Sequence, residues 1–273
     1  MKSNNPFLDY VERIASTYEQ AKHLSISQSS VTGSSKKITS DSRVLLFSPH
    51  PDDECITGLL PLRLQRELGM EVINVPVTFG SNKKRQAERA EELIAACSFL
   101  GWKNHQQRND FQSLKVEDIV HCLEKFQPEI IFVPHKGDWN TRHVSTHNLV
   151  MDALQCMSND YSCTVIETEF WAAMTDPNLM VAADAISVAD LMAATAQHAG
   201  EVIRNPYHLT LPAWMQDNVR RGSELVGGQG AEVPDFLFAT LYRLSHFSGG
   251  KMSKAGEPGK IIPMGELNRK VIG

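Results

Sequence analysis

The sequence predicts an α/β fold, a Rossmann-like, doubly wound, mostly parallel sheet with helices on both faces and a less regular C-terminal extension. Three observations predict it. Short apolar runs such as 44–47 and 129–133 show no polar alternation, which is how strands covered on both faces read. These runs alternate with longer stretches of helical periodicity, the pattern of βαβ units. The residues that could carry chemistry cluster just after two of the runs, at the strand ends where doubly wound sheets bind ligands. With 273 residues and 42% hydrophobic content, the chain can bury the core of one large domain.

The elements follow in order. Residues 6–22 predict a helix, with Pro6 in its first turn and Phe7, Val11, Ile14 and Tyr18 along one stripe. Residues 25–42, SISQSSVTGSSKKITSDS, offer little to bury and are expected to be flexible, so 1–42 read as an N-terminal helix and connector. The globular domain is expected over 43–247. In it, the strand 44–47 leads to a helix over 56–68 and the strand 71–78 to a helix over 84–100. A helix over 116–126 precedes the strand 129–133, and a further helix near Ser145 precedes a strand near Thr164. Beyond these, 188–203 and 209–225 read as helices, and the glycine-rich VGGQGAEVPD leads to an apolar run over 236–244. Residues 248–273 read as a tail, loosely ordered over 248–259, where five of twelve residues are glycine or proline.

Charge narrows the partner. The formal net charge is −5 and the lysines and arginines are scattered, which is not the footprint of a nucleic-acid or acidic-membrane binder. No apolar run approaches the roughly 18–20 residues of a membrane span, and the amino terminus lacks the apolar core of a signal peptide. The expectation is a cytoplasmic protein with a small-molecule partner; a homo-oligomer stays open. The five cysteines, Cys55, Cys97, Cys122, Cys156 and Cys163, are odd in number and form no C-x-x-C pair, as a reducing compartment permits. They read as small buried hydrophobes.

After the first run comes SPHPDDE, which crowds His50, Asp52, Asp53 and Glu54 at a strand end. Like charges so placed repel unless something positive sits among them, and a divalent cation is the strongest neutraliser. Aspartate and neutral histidine without a thiolate suit zinc or a similar first-row ion better than magnesium. A catalytic zinc takes about three protein ligands and keeps an open position. The first motif can supply two. The other strand-end motif, RHVSTH, offers His143 and His147 four residues apart, able to share a helix face or to converge from loop and first turn. It is not H-E-x-x-H, since Val144 follows His143, so a general base must come from the first motif. Taken singly, each Asp reads as a helix cap and each His as an ordinary core or surface residue; two clusters at one sheet edge together read as a metal site.

PHPDDE after an apolar strand resembles the signature of the LmbE/PIG-L family of zinc-dependent de-N-acetylases. The resemblance runs over roughly 43–181: RAEELIAACSFLGW resembles the family's R-x-x-E-x-x-x-A-x-x-x-L-G helix, and PEIIFVPHKGDWNTRHVSTH its strand and histidine motif. The family usually has H-x-x-H where this chain has H-x-x-x-H, and TFGSNKK lacks the acid of the family's T-G-E-x-G. The resemblance implies a zinc ion (Zn2+) held by His50, Asp53 and His147, with Asp52 as general base and His143 helping to hold the tetrahedral oxyanion. It implies removal of an acetyl group from an N-acetylated amino sugar or its conjugate, of N-acetylglucosamine type. Glu54 is expected to face the helix dipole or orient a ligand imidazole. Arg85 and Asp110 are candidate substrate contacts, while Arg89 with Glu92 reads as a helix ion pair. The glycines of 227–230 read equally as a lid or a surface turn. The rivals are a metal-dependent phosphoesterase, a non-catalytic sugar-binding module, and a dinucleotide enzyme, for which no G-x-G-x-x-G follows the first strand.

Overall fold

The computed structural model describes residues 5, 7–24, 40–108, 110–255 and 259–272. The connector expected over 25–42 lies outside the described residues except at 40–42. Helix α1 (Leu8–Ala21) forms within the range its stripe predicts and presents Phe7, Tyr10, Val11 and Ile14 outward.

The sheet begins with β1 (Arg43–Ser48), followed by the short α2 (Asp53–Ile56) and α3 (Leu59–Leu68), then β2 (Glu71–Pro76), α4 (Gln86–Leu100), β3 (Lys103–Asn104), α5 (Val116–Phe126), β4 (Ile130–Pro134), α6 (Thr141–Gln155) and β5 (Ser162–Thr168). β1 pairs in parallel with β2 and β4, β2 with β3, and β4 with β5. Successive side chains of a strand point to opposite faces, so Val44 and Leu46 enter one core layer, with Leu59 and Leu93, while Leu45 and Phe47 enter the other, with Ile119 and Val150. That two-sided burial is why the run VLLF carries no polar residue. Gly69 and Gly101, at φ 67° and 70°, end α3 and α4 in the left-handed conformation that glycine tolerates.

The C-terminal part is more regular than its composition suggests. It contributes β6 (Leu179–Ala183), α7 (Ala185–Ala196), α8 (Ala199–Val202), α9 (Leu211–Leu225), β7 (Phe238–Ser248), β8 (Lys251–Lys254), β9 (Lys260–Ile262) and α10 (Arg269–Ile272). β7 runs antiparallel between β5 and β6, so the strand order is β3-β2-β1-β4-β5-β7-β6-β9, with β8 paired to β7. Residues 251–254, expected to be loose, form a hairpin strand because Gly249 and Gly250 both take positive φ, 57° and 71°, the requirement of a two-residue turn that matches strand twist. Residues 256–258 lie outside the described ones. The helix expected over 188–203 is two helices, interrupted at Gln197 and His198.

Arg63 ties these parts together. Its guanidinium, 1% exposed, pairs with Glu67 and donates to the carbonyls of Ala182, Ile262 and Pro263, joining α3 to β6 and β9. The cysteines are all free, and four are buried as expected; Cys156, at the end of α6, is exposed. No described helix is long and apolar enough to cross a membrane.

Candidate active site

From β1 the chain winds toward β2 and from β4 toward β5, so the topological switch point, where such sheets form their crevice, lies between β1 and β4. The two motifs are the loops that follow these strands. After β1, Asp53 folds back on its own loop: its Oδ2 accepts from the His50 backbone N–H at 2.9 Å and lies 3.3 Å from His50 Nδ1. Asp52 has φ 122°, far from the ordinary regions, and its carbonyl accepts from the N–H groups of Cys55 and Ile56 to start α2.

After β4, Asp138 Oδ1 accepts from the Asn140 N–H at 2.8 Å, and Asn140 Oδ1 caps α6 by accepting from the Arg142 N–H at 2.9 Å. The helix therefore starts at Thr141, a turn before the expected Ser145, and His143 falls in its first turn. His143 Nδ1 lies 3.2 Å from Asp138 Oδ2 and its Nε2 lies 3.3 Å from Asp53 Oδ2. The rings of His50 and His143 are 5.5 Å apart. Ligand atoms of His50, Asp53 and His143 lie within 4.8 Å of one another.

These residues fit a metal ion. His143 Nε2 is buried with no hydrogen-bond partner; with Asp138 taking the Nδ1 proton, its lone pair faces Asp53, as carboxylate–histidine–metal arrangements require. Two ligands about 2.0–2.1 Å from a tetrahedral ion are roughly 3.3 Å apart, the separation found between Asp53 Oδ2 and His143 Nε2. Without a cation a proton does the same neutralising work. Burial disfavours charge on His143, but Asp53 and Asp138 outweigh it and raise its pKa to about 10. Burial acts against the Asp53 carboxylate too, and His143 and His50 overcome it, holding its pKa well below the usual range. Asp52 goes the other way: burial and then the charge of Asp53 push its carboxyl up to about 7.

The expected residues divide. His50, Asp52, Asp53 and His143 are brought together; His147, expected as the third ligand, is not in the three-donor cluster. One turn further along α6, it faces the ends of β4 and β5, where its Nδ1 donates to the Pro134 carbonyl at 3.0 Å and lies 3.5 Å from Glu167. Arg85 is engaged by Glu92 and Glu88, and Asp110 is exposed, its Oδ1 accepting from the Gln112 N–H, so neither reaches the cluster. Arg89 is not paired with Glu92. It donates to the Pro51 carbonyl at 3.0 Å and bolts the first motif to α4. Glu54 orients no candidate ligand; it binds His198 and the Asp52 N–H.

Sequence reasoning missed several neighbours. The Tyr207 hydroxyl donates to Asp52 Oδ2 at 2.5 Å, and the Trp171 indole N–H to Asp53 Oδ1 at 3.4 Å, the two rings 5.8 Å apart edge to face. The Trp139 indole donates to the Trp171 carbonyl at the same rim. Asp138 could have been found, since it lies within the second motif; Trp171, His198 and Tyr207 arrive from distant segments without a motif.

Residues 45–154 match the family model PIG-L, described as GlcNAc-PI de-N-acetylase. No curated protein sequence matches the chain significantly. Among solved structures, the chain is similar to N,N'-diacetylchitobiose deacetylase from Pyrococcus horikoshii, with 14% identity, TM-score 0.52, and 91% of this chain and 96% of that one covered. It is also similar to the zinc-inhibited form of teicoplanin deacetylase Orf2, with 12% identity, TM-score 0.56, and 79% and 100% covered. A third, GalB, the 4-carboxy-2-hydroxymuconate hydratase from Pseudomonas putida, has 17% identity, TM-score 0.55, and 74% and 95% covered. At these identities the likeness is one of fold.

Proposed function

We propose that this chain, whose residues 45–154 match the PIG-L family model (GlcNAc-PI de-N-acetylase), is a metal-dependent hydrolase that removes the acetyl group from an N-acetylated amino sugar or its conjugate. The observation that carries this reading is the joint placement of the His50, Asp53 and His143 donors next to Asp52 in one strand-end loop cluster. A divalent cation held by His50, Asp53 and His143, zinc in our reading, would polarise the acyl carbonyl and acidify a water.

The chain's own residues do the rest. Asp52 takes the proton of the attacking water and returns it to the leaving amine, work suited to a carboxyl whose burial raises its pKa above the usual range. Asp138 holds His143 in the tautomer that leaves Nε2 free. Arg89 holds the Pro51 carbonyl and with it the loop. With His143 in the donor set, the oxyanion-holding role expected of it passes to another group. The residue three before it, where H-x-x-H would place a second imidazole, is Asn140, whose Oδ1 caps α6. The Tyr207 hydroxyl has a single proton, which it gives to Asp52 Oδ2, so it holds the base rather than the oxyanion. A two-metal phosphoesterase is disfavoured, since among the described residues the other three-donor group, Glu54, Cys55 and His198, is wholly buried and bonded within itself.

The substrate class rests on the family and on the fold neighbours named for diacetylchitobiose and teicoplanin deacetylation. The test is amine release from a panel of N-acetylated amino sugars by protein of known metal content. Metal-dependent release supports the reading; bound metal without release from any acetamide contradicts it.

A further inference from the structure

Asp52 is held in a backbone conformation that a non-glycine residue avoids, φ 122° and ψ −34°. Such a conformation persists only where its surroundings over-determine it. Three contacts do so. The Asp52 carbonyl is taken by two N–H groups of α2, its Oδ2 by Tyr207, and its N–H by Glu54 Oε2 at 2.8 Å. Glu54 is 0% exposed, and a carboxylate wholly out of water has to be satisfied by protein donors. Its other oxygen accepts from Cys55 Sγ at 3.1 Å and from His198 Nε2 at 2.7 Å. The imidazole, also 0% exposed, is the one ionisable nitrogen donor that the described residues bring to Glu54. His198 reaches it because the chain breaks there: its N–H bonds the Thr195 carbonyl at the end of α7, and its own carbonyl accepts from Glu201 and Val202 to open α8.

We propose that His198 is a positioning residue that acts through Glu54 to fix the backbone of Asp52 and so aim its carboxylate at the donor cluster. The proposal rests on the hydrolase reading above for its consequence in rate, and on the structure alone for its geometry. Removing the imidazole leaves Glu54 short of a donor in a dry site, and a carboxylate that turns to find another releases the Asp52 N–H. The strained turn then relaxes and the carboxylate moves. Misplacing a reacting group by about 1 Å costs about 10²-fold in rate.

The test compares His198→Asn, which is too short to reach Glu54, with His198→Gln, which carries an amide donor closer to the lost nitrogen; a matching His198→Ala is added if it folds. Thermal melting and metal content establish that each variant is folded and loaded. We expect kcat to fall about 10²-fold in His198→Asn with KM little changed, at least tenfold of the loss to return in His198→Gln, and a crystal structure of His198→Asn to show Asp52 out of its positive-φ conformation. A folded, loaded His198→Asn with wild-type kcat, or with Asp52 still at positive φ and bonded to Glu54, overturns the proposal. A wild-type protein that releases no amine overturns only the hydrolase reading, because the crystallographic comparison judges the positioning by itself.

Discussion

Asp52 and Asp53 are neighbours whose surroundings push their carboxyls in opposite directions. Asp53 is surrounded by His50 and His143, which hold its carboxylate charged, as the proposed ligand role requires; burial and then the charge of Asp53 push the Asp52 carboxyl up to about 7, the direction that suits the proposed base. Their electrostatic separation predicts separable losses. Asp52→Asn keeps the shape and the metal but removes the proton acceptor, so turnover falls by about 10²–10⁴-fold while metal stoichiometry, read by elemental analysis, is unchanged. Loss of the metal along with the rate would show that Asp52 is a ligand. Arg63 poses a different problem at the same scale. Replacing it with Met strips the buried carbonyls of Ala182 and Ile262, the half-buried one of Pro263 and the Glu67 carboxylate of their donor, and we expect a loss of about 3–5 kcal/mol in denaturant unfolding. A loss under about 1 kcal/mol would mean the carbonyls find other partners.

At the scale of elements, the start of α6 decides which histidine joins the site. The Asn140 cap sets the first helical residue at Thr141, which puts His143 toward the β1 loop and His147 toward the strand ends. Asn140→Ala removes the cap and is expected to cost about 1 kcal/mol in stability. Because the same turn carries His143, metal affinity should weaken in parallel in a competition titration with a chelator. Unchanged affinity at reduced stability would separate the cap from the site. The break between α7 and α8 is the other irregular element near the site, and its bonds are those that deliver His198 to Glu54.

For the molecule as a whole, the sheet is continuous from β3 to β9, and the site lies where its winding reverses. The C-terminal part belongs to that sheet: β7 covers β5 along Ser162–Thr168 and carries β6 on its other side. A chain ended at residue 235 leaves both edges bare, and we expect it to show no cooperative melt and to aggregate; a soluble, cooperatively folding product would make the C-terminal strands an appendage. The parallel half was legible in the sequence because strands buried on both faces read as unbroken apolar runs, and β1, β4 and α5 fell within a residue or so of where those runs and periodicities put them. β8 and β9 were not legible: strands of four and three residues have no periodicity to find, and the Gly-Gly turn that folds β8 onto β7 reads as looseness. The first motif was legible because adjacent acids at a strand end demand a counter-charge. The role of His143 was not, because it depends on a one-turn choice of helix start, and Tyr207, Trp171 and His198 were not, because only the fold brings them to Asp52, Asp53 and Glu54.

In the function proposed above, His50, Asp53 and His143 hold the ion on which hydrolysis depends. It is tested most directly by measuring bound metal and amine release side by side in the wild type, His143→Ala and His147→Ala. We expect His143→Ala to lose both metal and turnover, while His147→Ala, once shown to be folded, keeps its metal and a measurable rate. Metal retained by His143→Ala and lost by His147→Ala would contradict it.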